Sequence, residues 1–317
     1  MGTIRLATRG SPLALRQTEM VSELLRRADP GLAVEPVVVR TQGDQQASVP
    51  LDQIGGQGVF VTEVESAVTD GRADAAVHSA KDMPSTMGDH LVLGAVPERA
   101  DPRDGLVGCT LAGLPAGGLV ATGSARRRAQ LAYLRPDLVF TQLRGNMARR
   151  VAVGEEGGVT AVMVAVAAME RLGWLDRLSD VLDPMDVLPQ AGQGAIAVQC
   201  RADDEDTRRR LRAIDHGASH RALVAERAVL AALGGSCTVP VGAFAEEAGP
   251  DADGLLRVSG LVASGDGRTM IRMTCLGEDP GAVGKELARA LLDGGGSAID
   301  GFGDAAAAVA GGAGGVR

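Results

Sequence analysis

The sequence predicts an α/β protein with two α/β domains followed by a small C-terminal α+β domain. Three observations carry that reading. Short β-branched runs alternate with helical runs from Ile4 to Gln199, which implies mainly parallel sheets. After about residue 215 the pattern changes to one helix, three consecutive strand-like runs and a second helix. The chain has 317 residues, too many for one ordinary core and suited to two or three.

The elements follow in order. Ile4 to Thr8 is a short apolar strand, and Pro12 to Arg27 has helical periodicity, with Ser11 as N-cap and Pro12 at the first helical position. Val34 to Arg40 reads as a strand, Val59 to Asp70 as an amphipathic helix stopped by Gly71, and Ala73 to His78 and Leu91 to Val96 as strands. A second unit begins after the polar stretch Glu98 to Asp104. It contains a strand at Leu119 to Thr122, a helix at Ala125 to Leu134 capped by Ser124, a strand at Leu138 to Leu143, a helix capped by Asn146, and a buried strand at Ala161 to Val166. Gly192-Gln193-Gly194 leads into Ala195 to Gln199, a strand expected to return to the first domain. The third region has a helix from about Ser219 to Leu233, strands at Val239 to Ala245, Leu255 to Ala263 and Thr269 to Leu276, and a helix near Val283 to Leu292. The expected domains are therefore residues 1–97 with about 195–214, residues 98–194, residues 215–293, and a loose Gly/Ala-rich tail over 294–317.

Composition narrows the function. The net charge of −8 argues against a general nucleic-acid binder. The longest apolar runs, such as Ala161 to Ala168, fall short of the about 20 residues a membrane helix needs. Met1 to Ala7 reads as a strand, without the basic-then-apolar pattern of a secretion signal, so a cytoplasmic location is expected. Cys109, Cys200, Cys237 and Cys275 form no CxxC pair, so neither a zinc site nor a disulfide framework is indicated. All but two of the 32 basic residues are arginine, the exceptions being Lys81 and Lys285. A GC-rich genome accounts for much of that bias. Dense clusters in an acidic protein also suit a polycarboxylate ligand, which arginine grips bidentately.

Several motifs place polar groups at strand-to-helix junctions. In Ala7-Thr8-Arg9-Gly10-Ser11-Pro12, Arg9 and Ser11 stand where helix amides attract anions, although an ordinary cap beside a solvated arginine reads the same way. Ala76-Val77-His78-Ser79-Ala80-Lys81-Asp82 puts Lys81 and Asp82 just past a buried strand, where open α/β sheets bind ligands; a solvated turn is the plainer alternative. Thr122-Gly123-Ser124-Ala125-Arg126-Arg127-Arg128 sets arginines in a helix first turn, against the dipole, which favours a bound anion. Leu143-Arg144-Gly145-Asn146-Met147-Ala148-Arg149-Arg150 repeats the theme. Gly234-Gly235-Ser236-Cys237 is a cysteine on a glycine turn, a setting suited to covalent chemistry more than to packing.

Taken in order, these motifs resemble the porphobilinogen deaminase family. The resemblance runs through ATRGSPLAL, GGQGVFVTEVE, ADAAVHSAKDMP, ADPRDGLV, ATGSARRRAQL, QLRGN, VAVAAMERLG, LPQAGQGAIAVQCR, AERA and GGSCTVPVG, nearly the whole chain. It implies two lobes like those of periplasmic binding proteins and a third domain carrying a covalent dipyrromethane on Cys237. It implies a monomeric transferase that joins four porphobilinogen molecules, each losing ammonia, into the linear tetrapyrrole hydroxymethylbilane. Asp82 matches the catalytic aspartate, whose carboxylate stabilises cationic pyrrole intermediates. Arg9, Ser11, Lys81, Thr122, Ser124, Arg126, Arg127, Arg144, Arg150 and Arg171 match positions that hold the acetate and propionate groups or frame the cleft, and Gln193 matches a cleft position. Arg126 and Arg127 are expected at the cofactor carboxylates. Gln57 and Thr62 stand where the family usually has lysine, which puts a catalytic role for that loop in doubt. The Gly- and Gln-rich stretch from Gln42 to Gly58 suits a lid. Two other classes compete: a non-catalytic bilobed anion-binding protein, and a thiol hydrolase using Cys237, for which no base is identified.

Overall fold

The computed structural model describes residues 2–40, 61–234, 239–249 and 254–302. Cys237 and the stretch from Gln42 to Gly58 lie outside them.

The first sheet contains β1 (Thr3–Arg9), β2 (Ala33–Val39), β3 (Ala75–Ser79), β4 (Leu91–Ala95) and β10 (Ile196–Arg201), in the order β2-β1-β3-β10-β4. Helices α1 (Pro12–Ala28) and α2 (Thr62–Thr69) belong to the same unit. Ser11 caps α1 by accepting from the Ala14 amide, and Pro12 opens the helix. Val21 and Leu25 of α1 join Ile4, Leu6, Val77 and Val198 in one buried cluster.

The second sheet contains β5 (Asp104–Val107), β6 (Leu119–Ala121), β7 (Val139–Thr141), β8 (Ala161–Ala165) and β9 (Asp180–Val181), in the order β7-β6-β8-β5-β9. With it go α3 (Ala125–Leu134), α4 (Met147–Glu155) and α5 (Val166–Arg171), the first two capped by Ser124 and Asn146. Leu106, Val120, Leu131 and Met163 form its core. The two sheets share one plan. In each, one strand, β1 or β6, pairs in parallel with both neighbours, and an antiparallel strand, β10 or β5, separates the next from the edge.

Each sheet is thus mainly parallel, as expected, with one reversed strand that the sequence pattern did not mark. β5 follows the first crossing between units and β10 follows the return crossing, so each enters its sheet reversed. β5 also starts on Asp104, read from the sequence as the end of a polar linker; its side chain is fully buried. Val166 begins α5 instead of ending the strand before it.

After β10 come α6 (Glu205–Arg212) and α7 (Gly217–Ala232). The antiparallel meander β11 (Val241–Glu247), β12 (Leu256–Ala263) and β13 (Met270–Gly277) follows, and α8 (Pro280–Asp293) covers it together with α7. Here Val229, Leu256, Val258 and Leu287 are buried together with Phe302. The loose tail expected from Gly294 is therefore corrected over residues 294–302. Phe302 is fully buried and Ile299 nearly so, and losing a buried phenylalanine side chain costs about 3–5 kcal/mol. Residues 303–317 lie outside the described part. Among the described residues no helix is long and apolar enough to cross a membrane.

Candidate active site

β1 and β3 run side by side and in parallel, so their carboxyl ends open on the same side. Arg9 ends β1, and Ser11 caps the helix that follows. β3 passes directly into a short 3-10 turn, Ala80–Asp82, that carries Lys81 and Asp82. Gln17 of α1 fixes the two junctions to each other: its Nε2 donates to Ser79 Oγ at 2.8 Å. Arg9, Ser11, Gln17, His78, Ser79 and Asp82 consequently line one cavity of about 50 Å³, with the Asp82 side chain exposed. Thr62, one of the two departures from the usual lysines, begins α2, next to Val61, which lines the same cavity; Gln57 is outside the described residues.

The second unit faces this turn with its own charged group. Asp104, at the start of β5, meets Arg126 and Arg127 from the first turn of α3. Arg126 Nη1 donates to Oδ2 at 2.7 Å, and Arg127 donates to Oδ1 from Nε at 3.0 Å and Nη2 at 2.7 Å. Burial alone would raise the Asp104 carboxyl, yet the two guanidiniums hold it well below the usual carboxylate range. The counterion to an arginine-rich first turn is thus partly internal. Thr122 and Ser124 build that turn: Thr122 Oγ1 accepts from the Ser124 amide at 3.2 Å, and Ser124 Oγ from the Arg127 amide at 3.4 Å.

The return crossing joins the two halves. Gln193 is fully buried. Its Nε2 donates to Pro102 O at 2.7 Å and Asp104 Oδ1 at 2.8 Å, while its Oε1 accepts from Lys81 Nζ at 3.4 Å and Arg127 Nη2 at 3.5 Å. Both donors and both acceptor positions of the amide are occupied by protein, so it acts as a joint. The flanking glycines are required by close approach. A Cβ on Gly192, at φ +73, would come within 2.9 Å of the Lys81 amide, and one on Gly194, at φ +86, within 2.4 Å of Ala100 O.

The remaining cations surround this joint. Arg171 ends α5 and donates from Nη2 to Gly194 O at 2.6 Å; burial pushes its guanidinium down to about 10. Arg150 on α4 donates Nε to Gly145 O, and burial together with Arg127 lowers its pKa. Arg144, partly buried, lies in the segment just before α4. Lys81 is pushed down to about 8, by burial first and then by Arg127. Among the described residues, Asp82 and Asp104 act against Lys81, and Glu170 against Arg171.

Three buried guanidinium nitrogens, Arg126 Nε and Nη2 and Arg171 Nε, have no hydrogen-bond partner among the described residues. Buried donors of that kind call for acceptors. A dipyrromethane, with an acetate and a propionate on each ring, offers carboxylates of the kind a guanidinium binds best, so the residues present fit it.

The sequence missed Asp104, Arg99 and Glu226. Arg99 and Glu226 form a buried ion pair at 2.6 Å between the first crossing and α7. The signal for Asp104 was an acid opening an apolar triplet upstream of an uncompensated arginine cluster. Of the other cysteines, Cys200 is buried, which pushes its thiol up to about 11, a value that suits packing and not reactivity.

Among the described residues, two α/β units meet at a cation-lined cleft with the exposed Asp82 carboxylate at its edge, an arrangement suited to a polycarboxylate. Comparison with known proteins makes that specific. Residues 4–209 match the family model described as porphobilinogen deaminase, dipyromethane cofactor binding domain, and residues 221–293 match the porphobilinogen deaminase C-terminal domain. A porphobilinogen deaminase of Roseiflexus sp. (strain RS-1) is 46% identical over 302 residues, covering 94% of this chain and 98% of the relative. One from Syntrophobacter fumaroxidans (strain DSM 10017 / MPOB) is 43% identical over 297 residues, covering 92% and 95%. Among solved structures, the methionine binding protein MetQ aligns with a TM-score of 0.41 and 12% identity, over 69% of this chain and 92% of that one. The chain belongs to the porphobilinogen deaminase family.

Proposed function

We propose that the protein is a hydroxymethylbilane synthase that condenses four porphobilinogen molecules on a dipyrromethane attached to Cys237. The observation that carries this reading is the shared cavity of Asp82, Arg9 and Ser11, in a chain of this family. Bound dipyrromethane supplies the pyrrole terminus to which each unit is joined. Arg126, with two unpartnered buried nitrogens, takes a cofactor carboxylate, and Arg127 shares its charge between that carboxylate and Asp104. Thr122 and Ser124 hold the turn from which both project.

Arg9 and Ser11 seat a carboxylate of the incoming porphobilinogen beside Asp82. The substrate's C–N bond breaks, ammonia leaves, and an electrophilic azafulvene remains. The Asp82 carboxylate accepts from the pyrrole N–H and stabilises the positive charge that develops as the new C–C bond forms and the α-proton departs. Lys81, Arg144, Arg150 and Arg171 hold the carboxylates that accumulate. The proposed domains are residues 1–97 with about 195–214, residues 98–194 and residues 215–293. A cytoplasmic monomer is proposed, on the family resemblance.

Denaturing mass spectrometry after limiting porphobilinogen tests this reading. The wild type is expected to show protein masses one pyrrole unit apart, ending at four. Asp82→Asn, which keeps size but loses charge, is expected to release ammonia about 100-fold or more slowly. Near-normal ammonia release by Asp82→Asn would remove Asp82 from the mechanism, and an unmodified wild-type mass with substrate consumed would remove the mechanism itself.

A further inference from the structure

Porphobilinogen brings one positive group to the site as well as two negative ones. Arginines answer the acetate and the propionate. The aminomethyl ammonium, with three protons to place, needs acceptors. Several polar side chains lining the cavity beside Asp82 are already engaged. Gln17 and Ser79 serve each other, Gln17 Nε2 donating to Ser79 Oγ at 2.8 Å and Ser79 Oγ to Gln17 Oε1 at 3.1 Å. Ser11 Oγ accepts from the Ala14 amide at 3.3 Å. His78 lines the same cavity and differs. It is 6% exposed, it sits on β3 just ahead of the turn that carries Asp82, and its Nε2 has no hydrogen-bond partner among the described residues.

The surroundings of His78 fix what its ring can do. His78 stands opposite Ala197 and Ala76 opposite Gln199, so the imidazole and the Gln199 amide occupy one face of the sheet as diagonal neighbours. Gln199 is fully buried and donates Nε2 to Glu65 Oε1 on α2 at 2.8 Å. A carboxylate only accepts, so the amide oxygen is the atom left for the imidazole, and it favours a ring nitrogen that carries a proton. The other ring nitrogen keeps its lone pair. Burial first, then repulsion from Arg227 on α7 and Arg9 on β1, outweigh the pull of Gln199 and hold the ring neutral, pushed down to about 4.

We propose that His78 is a specificity-determining residue for the substrate's amine: its neutral imidazole accepts a hydrogen bond from the aminomethyl ammonium, which lies between the ring and the Asp82 carboxylate. This rests on the functional reading above and deepens it by naming what recognises the leaving group. The cavity, about 50 Å³, has room for a group of that size. An uncharged acceptor suits the place, because a second carboxylate there would pair with Arg9 and compete with the substrate's own acid groups. The bond is strongest while the nitrogen is still positive, before the C–N bond breaks. It therefore acts on substrate binding more than on the chemical step.

The test compares two substrates on each holoprotein: porphobilinogen, and the same pyrrole with hydroxymethyl in place of aminomethyl. His78→Phe keeps a ring in the space and removes the acceptor. It is expected to raise KM for the aminomethyl substrate about tenfold, the worth of a hydrogen bond to a charged group, with kcat changed less than about threefold. KM for the hydroxymethyl substrate should move by less than about threefold. Gln199→Met, which frees the imidazole to turn, should raise KM in the same selective way by a smaller factor, and it decides alone if His78→Phe yields no holoprotein. Equal losses on both substrates would mean that His78 only supports the fold, and unchanged KM values would mean that the amine is held elsewhere; either overturns the proposal. Tetrapyrrole formation by the wild type is measured alongside. Product without selectivity in the variants overturns the role of His78 alone, whereas no product overturns the functional reading beneath it.

Discussion

Arg99→Met tests how the three units are held together. Glu226 on α7 is fully buried and accepts four hydrogen bonds: from Arg99 Nη1 at 2.6 Å and Nη2 at 3.2 Å, and from the amides of Gly192 at 2.6 Å and Ala245 at 2.8 Å. Arg99 also donates Nε to Gln193 O at 2.8 Å and lies 5.2 Å from the Phe244 ring centroid. One ion pair therefore ties the first crossing, the return crossing and the third unit. Methionine keeps the reach and the contact with Phe244 but removes the cation. Glu226 keeps its two amides and loses its counter-charge, and breaking one side of a buried pair costs about 3–5 kcal/mol. The lost bond to Gln193 is a minor part, about 1 kcal/mol. For a chain of this size the melting temperature should fall on the order of 10 °C. Unfolding is followed by far-UV ellipticity and by the fluorescence of the lone tryptophan, Trp174, so that stepwise loss of one unit is visible. Glu226→Gln and the double variant complete a cycle, with a coupling of about 2 kcal/mol expected. A loss below about 1 kcal/mol in Arg99→Met, or additive single effects, would refute the reasoning.

Further outcomes follow from the site. Cys237→Ala should fold but carry no dipyrromethane; a positive acid-aldehyde colour on the denatured variant would assign attachment elsewhere. Arg126→Leu and Arg127→Leu should both lower cofactor occupancy by intact mass, but Arg127→Leu should be the less stable, since it forfeits both its bonds to Asp104 and its bond to Met163 O. Equal melting temperatures for the two would show that the bonds of Arg126 to Asp104 and Leu188 O are worth as much as those of Arg127. Arg171→Leu should keep the cofactor and lose turnover, read as normal holoprotein mass with slow tetrapyrrole formation; loss of the cofactor would reassign Arg171 to cofactor binding.

Local chemistry was legible in the sequence because it is local. Ser11, Ser124 and Asn146 are caps because each is a polar residue immediately ahead of a helical run, and the structure has all three accepting the expected amide. The junctions bearing Arg9, Asp82 and Arg126 were found the same way. What escaped depends on pairing between distant segments. β5 is four residues long and opens on a buried aspartate, so neither length nor hydrophobicity marks it. Its burial makes sense only once Arg126 and Arg127, more than twenty residues later, are folded over it. The arginine-rich first turn was correctly read as needing negative charge, but the sequence could not say that part of it comes from Asp104. α6 was overlooked because its stability comes from charge, with Asp204 capping it and arginines three and four residues after acids, and it has almost no apolar stripe.

The place of β10 has a consequence for biosynthesis. β10 lies between β3 and β4, yet it is translated only after the whole second sheet. A nascent chain that has emerged as far as β4 has the right residues for four strands of its first sheet, but the partner that β3 and β4 both need has not been made. The second sheet is contiguous in sequence and has no such dependence. The N-terminal segment must therefore wait, with the edges of β3 and β4 unpaired, while the later segment completes itself. During that interval the emerging polypeptide presents open backbone donors and acceptors, the kind of surface that holding chaperones shield and neighbouring chains on a polysome can capture.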